Sequence, residues 1–192
     1  KLNIIISFII SLAISGILGA LIEFTAFRTI RSGSRSSQLI SSIGVSIILQ
    51  NTVMLTMGSD TKPFPEVTPA TAHEFSNITI SSTQILIMIV ALIFMVILYF
   101  FIYKTKIGIS MGSTAQDSAM TSLMGIDVNK VISITFSVGS ILGAAAGILV
   151  GMYYNSLVFN MGASMGLKAF VAAILGGIGN RPGTMLGGIF LG

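Results

Sequence analysis

Few side chains in this sequence are equipped for chemistry, and their spacing argues against a catalytic centre. Gly162-Ala163-Ser164-Met165-Gly166 matches the G-x-S-x-G pattern of a hydrolase nucleophile elbow. Such an elbow needs a strand before it, a helix after it and a base within reach, and the single histidine, His73, stands in a different connection. Cysteine is absent, so there is neither a disulfide framework nor a thiolate metal site. No H-E-x-x-H or Walker A pattern occurs. We therefore expect no catalytic residue and no metal ligand in the chain. Asn77-Ile78-Thr79 is a formal glycosylation sequon, a short match of little weight. The polar residues that remain stand within apolar runs. Ser42, Ser46 and Gln50 fall at i, i+4 and i+8, and Asn51 follows. Polar groups inside a membrane are costly and often functional, so Ser46, Gln50 and Asn51 are candidates to line a substrate path. Hydrogen bonding to a neighbouring helix accounts for the same stripe equally well.

The elements that must position these residues are membrane spans. Charged residues are 8% of the chain and hydrophobic residues 53%, whereas soluble proteins carry about 25% charged residues. Ten basic and six acidic side chains do not suffice for a water-exposed surface. That excludes a soluble enzyme, a nucleic-acid binder and a disordered tail, and under this composition the net charge of +4 matters less than where each charge lies. A spanning helix needs about 20 mostly apolar residues, because its backbone must be satisfied within the segment. Residues 2–24, 39–57, 84–103 and 131–154 qualify, 166–178 is apolar but short, and a further segment starts at 183. Arg28, Arg31 and Arg35 follow the first span. Lys62 stands among Asp60, Glu66 and Glu74 after the second, Lys104, Lys106 and Lys130 follow the third, and no basic residue follows the fourth. The positive-inside bias then places the first and third connections in the cytoplasm, with 58–83 as an outer loop and 104–130 as a cytoplasmic one. Lys1 falls on the outer side, which calls for an odd number of preceding helices. We expect an all-α polytopic membrane protein, a single transmembrane domain over 1–192 that is incomplete at both ends, with about five to six membrane segments. For 166–178 a short tilted span is preferred to a helical hairpin turning at Gly179-Asn180-Arg181-Pro182-Gly183.

Gly139, Gly143, Gly147 and Gly151 recur at four-residue spacing and mark a helix face that another helix can approach closely. Glu23, near the cytoplasmic end of the first span, reads as an interfacial partner of the arginine cluster. Lys168 and Arg181 flank the short segment and would reach toward headgroups. In the cytoplasmic loop, Ser113 or Thr114 suits the cap of a short helix with Asp117 in its first turn, and Gly125 suits its C-terminal stop. A surface helix of about ten residues, lacking the basic face of a lipid-bound helix, reads as a docking element for a soluble partner.

Three blocks extend along essentially the whole chain. The first is Glu23, Phe27-Arg28, Arg31, Gln38-Leu39-Ile40, Ile43-Gly44, Gln50-Asn51 and Lys62-Pro63-Phe64-Pro65. The second is Ala115-Gln116-Asp117, Met120 and Leu123-Met124-Gly125-Ile126-Asp127. The third is Gly166-Leu167-Lys168-Ala169-Phe170, Ala172-Ala173-Ile174-Leu175-Gly176-Gly177-Ile178-Gly179-Asn180, Pro182-Gly183 and Leu186-Gly187-Gly188. In this order and spacing they resemble the permease subunit of a branched-chain amino-acid ABC transporter. Arg181, where a small or apolar residue is expected, departs from the pattern. The resemblance implies an ABC-importer permease-like helical bundle in the bacterial inner membrane. It would work by alternating access with a homologous second permease, two cytoplasmic ATPase subunits that hold ATP and magnesium, and an extracytoplasmic substrate-binding protein. The chain itself would bind no cofactor. It also implies a coupling role for Ala115, Gln116, Asp117, Met120, Leu123 and Gly125. The same superfamily imports ribose-like sugars, urea and short amides, so the substrate is less defined than the machinery. The rival reading is an ion-coupled secondary transporter or channel, which would carry acidic residues or histidine at mid-membrane.

Overall fold

The computed structural model describes residues 4–30, 35–64, 72–75, 78–177 and 181–191. Lys1, Arg31, Pro65, Glu66, Asn77, Ile178, Gly179 and Asn180, singled out above, lie outside them. The first apolar run forms α1 (Ile4–Ile22), prolonged without interruption by a π-helical stretch (Glu23–Phe27) and by α2 (Arg28–Ile30). Its isoleucines are mediocre helix formers in water, but lipid offers the backbone no other hydrogen-bond partner. The following helices are α3 (Arg35–Met57), α4 (Ser82–Lys104), α5 (Lys106–Gln116), α6 (Ser118–Leu123), α7 (Val128–Tyr154), α8 (Met161–Leu175) and α9 (Arg181–Leu191). A capping box starts α4: the Ser81 hydroxyl accepts from Thr83 N–H at 3.4 Å while Ser81 N–H donates to Gln84 Oε1 at 3.3 Å, satisfying donors that the helix itself leaves open. Four helical stretches, Ile6–Ile30, Ile40–Met57, Ser82–Lys104 and Val128–Tyr154, are long and apolar enough to cross a bilayer. They coincide with the four expected spans. The protein is a polytopic all-α membrane protein.

The described residues divide into two compact units, residues 1–47 with 64–155 and residues 48–63 with 156–192. In the first, α1 packs along α7, and α4 and α5 also lean on α7. Gly16 faces Ser137 and Ile141, Gly19 faces Phe136 and Ser140, and Glu23 meets Ser133, so α1 and α7 run antiparallel. The connections that bear Arg28 and Lys130 are therefore at the same end of this helix pair. The buried apolar side chains of α7 are Val131, Ala145, Leu149 and Met152. Large apolar residues elsewhere on the spans are outward, such as Ile17 at 62% and Ile97 at 57% exposure; in lipid that exposure carries no hydrophobic penalty. Tyr99 and Tyr103 gather at the C-terminal end of α4 and Tyr153 and Tyr154 at that of α7, the interfacial positions such rings favour. In the connection between α3 and α4, β2 (Ala72–Phe75) and β3 (Ile78–Ser81) pair antiparallel with Ala72 opposite Ser81 and Phe75 opposite Ile78.

In the second unit, β1 (Lys62–Pro63) pairs antiparallel with β4 (Ser156–Leu157), Lys62 opposite Leu157. This ties together the two connections that the charge bias assigned to the outer side. The short apolar segment expected over 166–178 is α8. α8 begins earlier, at Met161, ends at Leu175, and folds back on α9 as a helical hairpin. Glycine makes the fold-back possible. Gly177 has φ +87, and a Cβ on Gly176 would collide with the backbone of Gly183 and Thr184. A Cβ on Gly187 would stand 2.5 Å from the Ala172 carbonyl oxygen.

Candidate functional site

The candidate site is the connection between α4 and α7, together with the helix faces it continues into. Sequence reading left residues 106–112 as loop, yet Lys106–Gln116 is helical. The break between α4 and α5 is made by Thr105 alone, extended at φ −97 and ψ 148. Its hydroxyl donates to the Phe101 carbonyl at 2.6 Å and accepts from Gly108 N–H at 3.0 Å, so one side chain closes one helix and caps the next. Gly108 is buried at this elbow, and a Cβ there would run into the carbonyls of Phe101 and Ile102.

The expected ten-residue helix is shorter and starts later. Ser113 and Thr114 lie inside α5, as do Ala115 and Gln116; Ser113 Oγ donates to the Ile109 carbonyl at 3.2 Å. Asp117 caps α6 instead of occupying its first turn. Its Oδ1 accepts from Ala119 N–H at 2.9 Å and Met120 N–H at 3.0 Å, bonds that a carboxylate also strengthens through the helix dipole. The C-terminus closes as expected at Gly125, whose φ is +79. Ile126 N–H donates to the Thr121 carbonyl at 3.4 Å and Gly125 N–H to that of Ser122 at 3.0 Å, the paired bonds of a Schellman turn. A second cap follows at once: Asp127 Oδ1 accepts from Asn129 and Lys130 N–H at 3.1 and 3.2 Å, starting α7. The Lys130 backbone N–H, assisted by that residue's charge and opposed by slight desolvation, holds the Asp127 carboxyl below the usual aspartate value. Between the caps only Thr121 is buried, while Met120 (62%), Leu123 (83%) and Met124 (83%) are exposed. A six-residue helix and its C-cap residue thus hold three large apolar side chains in the open, on a segment outside the apolar spans.

The α1–α7 contact next to this connection was not anticipated. Glu23, read from the sequence as interfacial, is 1% exposed, and Ser133 Oγ donates to its Oε2 at 2.5 Å. The rings of Phe27 and Phe136 stand 4.9 Å apart beside it, and the Arg28 guanidinium lies 5.3 Å from the Phe24 ring centroid. The close approach of the helices rests on Gly16 and Gly19. A Cβ on Gly19 would stand 2.6 Å from Ser140 Cβ and 2.8 Å from the Phe136 carbonyl oxygen. The G-x-x-G spacing of these two residues was the available signal. An open groove of 540 Å³, lined by Ala13, Gly16, Ala20, Ser133, Ser137 and Ile141 among others, follows this seam.

The glycine-spaced face of α7 looks elsewhere. Gly139, Gly143 and Gly147 are exposed, with no atom among the described residues within 4 Å of an added Cβ, and Gly151 is buried. Ser42, Ser46 and Gln50 share one face of α3, followed by Asn51, and Thr52 and Thr56 return their hydroxyls to the Ile48 and Thr52 carbonyls at 2.8 Å. Neither Gln50 nor Asn51 lines the α1–α7 groove. The G-x-S-x-G residues sit inside α8, where Ser164 Oγ donates to the Met161 carbonyl at 3.1 Å, and not at the sharp strand-to-helix turn that an elbow requires. Among the described residues no cluster of three or more His, Cys, Asp or Glu could hold a metal.

A family model described as the permease component of a branched-chain amino acid transport system matches residues 1–192. The chain is 40% identical to the high-affinity branched-chain amino acid transport system permease protein BraD of Pseudomonas aeruginosa, over all of this chain and 64% of that one. It is 39% identical to the corresponding LivH protein of Escherichia coli, over 96% of this chain and 61% of that one. The xylose/arabinose import permease protein XylH of Sulfolobus acidocaldarius is 23% identical over 98% of this chain and 51% of its own. The chain thus spans less than two thirds of the length of these relatives. No solved structure matches it.

Proposed function

The chain belongs to the family of permease components of branched-chain amino acid transport systems, and from that membership we propose that it is a membrane-spanning subunit of an ATP-driven importer. Branched-chain amino acids are the proposed substrates, carried across a bacterial inner membrane by alternating access. The cytoplasmic ATPase pair would hold the ATP and magnesium, an extracytoplasmic binding protein would deliver substrate, and a homologous second permease would complete the pathway. No catalytic step falls to this chain.

The observation that carries this reading is α6, a short helix capped at both ends that with its C-cap residue presents Met120, Leu123 and Met124 outward. An exposed cluster of this kind is costly in water unless a partner covers it. The caps hold it rigid, so force applied to it reaches α7 through the short Gly125–Asp127 turn without being absorbed by unwinding. Ala115 and Gln116 at the end of α5, with Asp117, Met120, Leu123 and Gly125, form the proposed coupling surface. We assign Ser46, Gln50 and Asn51 on α3 to the substrate path, and the outward Gly139–Gly143–Gly147 face of α7, with Gly151, to contact with a further helix of the assembled permease. A ligand or nucleotide state moves such a system only by binding one conformation better than the other.

The test is coupled ATP hydrolysis in the assembled transporter after Asp117→Lys, which removes the α6 cap, or Gly125→Trp, which forbids its C-terminal turn. Each should abolish substrate-stimulated hydrolysis while the permease still folds and inserts. Wild-type stimulation in both would remove the docking role.

A further inference from the structure

Glu23 is the one residue among those described whose whole side chain is essentially withdrawn from the surface, and it is an acid in a membrane-spanning helix. A buried carboxylate is retained there only where it is hydrogen-bonded, and such residues tend to mark function and not packing. Two features of its placement are specific. Its carbonyl accepts the five-residue-step bond from Arg28 N–H that defines the π-helical stretch, while its carboxylate accepts from Ser133 Oγ at 2.5 Å. Backbone and side chain of one residue are thereby engaged at the point where α1 leaves regular geometry. A π turn carries one residue more than an α turn, and its loss or migration rotates the helix beyond it by about 100° with a shift of about 1.5 Å. Such turns concentrate at functional positions for that reason.

The partner is as informative as the acid. Ser133 lies six residues beyond Asp127, about 9 Å along the α7 axis, and α7 is the helix into which α6 directly feeds. The Phe27–Phe136 ring contact at 4.9 Å and the Gly19–Ser140 approach continue the same seam. A displacement delivered to the start of α7 therefore meets α1 first at Glu23.

We propose that Glu23 is a positioning residue for transport, which through Ser133 makes α1 follow the cytoplasmic end of α7 and uses the π-helical turn as the place where α1 yields. This inference rests on the proposed importer function, and the test separates the two. The complete transporter, with its ATPase and binding-protein subunits, is reconstituted in vesicles, and ATP-driven uptake of radiolabelled leucine is measured alongside ATP hydrolysis. Glu23→Ala and Ser133→Ala should each lower leucine moved per ATP about fivefold or more at wild-type membrane yield. The double variant should fall no further than the worse single one, because both remove one bond. Ser133→Thr and Glu23→Gln, which keep a hydroxyl donor and an oxygen acceptor, should stay within about twofold of wild type. A purely structural bond would lower yield or thermal stability and leave the leucine-to-ATP ratio of surviving complexes unchanged; that result overturns the proposal. If Glu23→Ala does not assemble, Ser133→Ala, which removes a single oxygen, decides by the same ratio. Absence of ATP-driven leucine uptake by the wild-type complex would overturn the importer reading and this inference with it, whereas normal wild-type uptake with an unchanged ratio in Ser133→Ala overturns the inference alone.

Discussion

Adding one methyl group at Gly19 and one at Gly143 should have opposite consequences. An alanine Cβ at Gly19 would sit 2.6 Å from Ser140 Cβ and 2.8 Å from the Phe136 carbonyl oxygen. Ordinary contacts begin near 3.4 Å, so the α1 and α7 backbones must part locally by about 0.6–0.8 Å and the Ser140 hydroxyl, nearer still, must turn away, at roughly 1–3 kcal/mol for overpacking. A gap of that size also forfeits about a quarter to a half of the dispersion energy of each atom pair it opens. Along this seam the Phe27–Phe136 and Glu23–Ser133 contacts would loosen as well. At about 2–4 °C per kcal/mol for a chain of this size, Gly19→Ala should lower the melting temperature in detergent by roughly 2–12 °C. Gly143→Ala meets no atom within 4 Å and replaces a poor helix former with a good one, so the isolated chain should melt at or slightly above the wild-type temperature. Fluorescence-detected size-exclusion chromatography after heating measures both. Equal melting temperatures for Gly19→Ala and wild type would refute the antiparallel α1–α7 seam and everything built along it.

Gly125→Ala forces a side chain into φ +79, at about 1 kcal/mol, and should raise hydrogen-exchange rates of the α6 amides severalfold while leaving α7 protected. Thr114 Oγ1 is buried without a hydrogen-bond partner among the described residues; Thr114→Val keeps the shape, removes the orphan, and should stabilise the chain by about 1 kcal/mol in chemical denaturation. Because the Lys130 N–H depresses the Asp127 pKa, the folded state binds the carboxylate form more tightly than the unfolded one does. The cap's contribution is therefore complete above the ordinary aspartate value of about 3.9 and is lost as pH falls through the lower folded value. Exchange at residues 129–130 should be pH-independent beyond its intrinsic trend from pH 5 to 8 and rise below about pH 4, and Asp127→Asn should remove that rise.

What the sequence disclosed and what it concealed follow from the kind of pattern each feature leaves. A span is about 20 consecutive apolar residues, so α1, α3, α4 and α7 could be read directly, and the basic residues oriented them. The β1–β4 pairing and the shared end of the Arg28 and Lys130 connections fit spans that alternate in direction. Gly125 was legible because positive φ selects glycine. α5 was missed because Lys106–Gln116 is rich in glycine and serine, weak helix formers, and its start depends on one threonine. The role of Asp117 shifted from first turn to cap because α5 and α6 abut, and a cap can be placed only once the break is located. The π-helical turn has no compositional mark at all, and nothing local distinguishes a buried Glu23 from an interfacial one. Its environment is Ser133, 110 residues away. The four-residue glycine repeat was conspicuous yet faces away from α1, whereas the less regular Gly16 and Gly19 make the contact, because a repeat specifies a smooth face without naming what covers it.

The distribution of contacts along α7 gives the proposed mechanism its physical form. From its N-terminus this helix meets the α6 turn at Asp127, Glu23 at Ser133, Phe27 and Gly19 at Phe136 and Ser140, and Gly16 at Ile141. These attachments occupy little more than the first half of a 27-residue helix, and burial of Ala145, Leu149 and Met152 holds the second half. Such a helix is gripped along one face and leaves the other to pack against something smooth. The gripped face carries hydroxyls, an aromatic pair and a carboxylate partner, contacts with defined partners and geometry. The outward Gly139–Gly143–Gly147 face offers only close approach, which tolerates sliding because no side chain must leave a pocket. A permease that alternates between two openings needs this division, with specific contacts where force enters and smooth ones where helices move. Bulky residues on the glycine face should therefore impair the assembled transporter far more than the isolated chain.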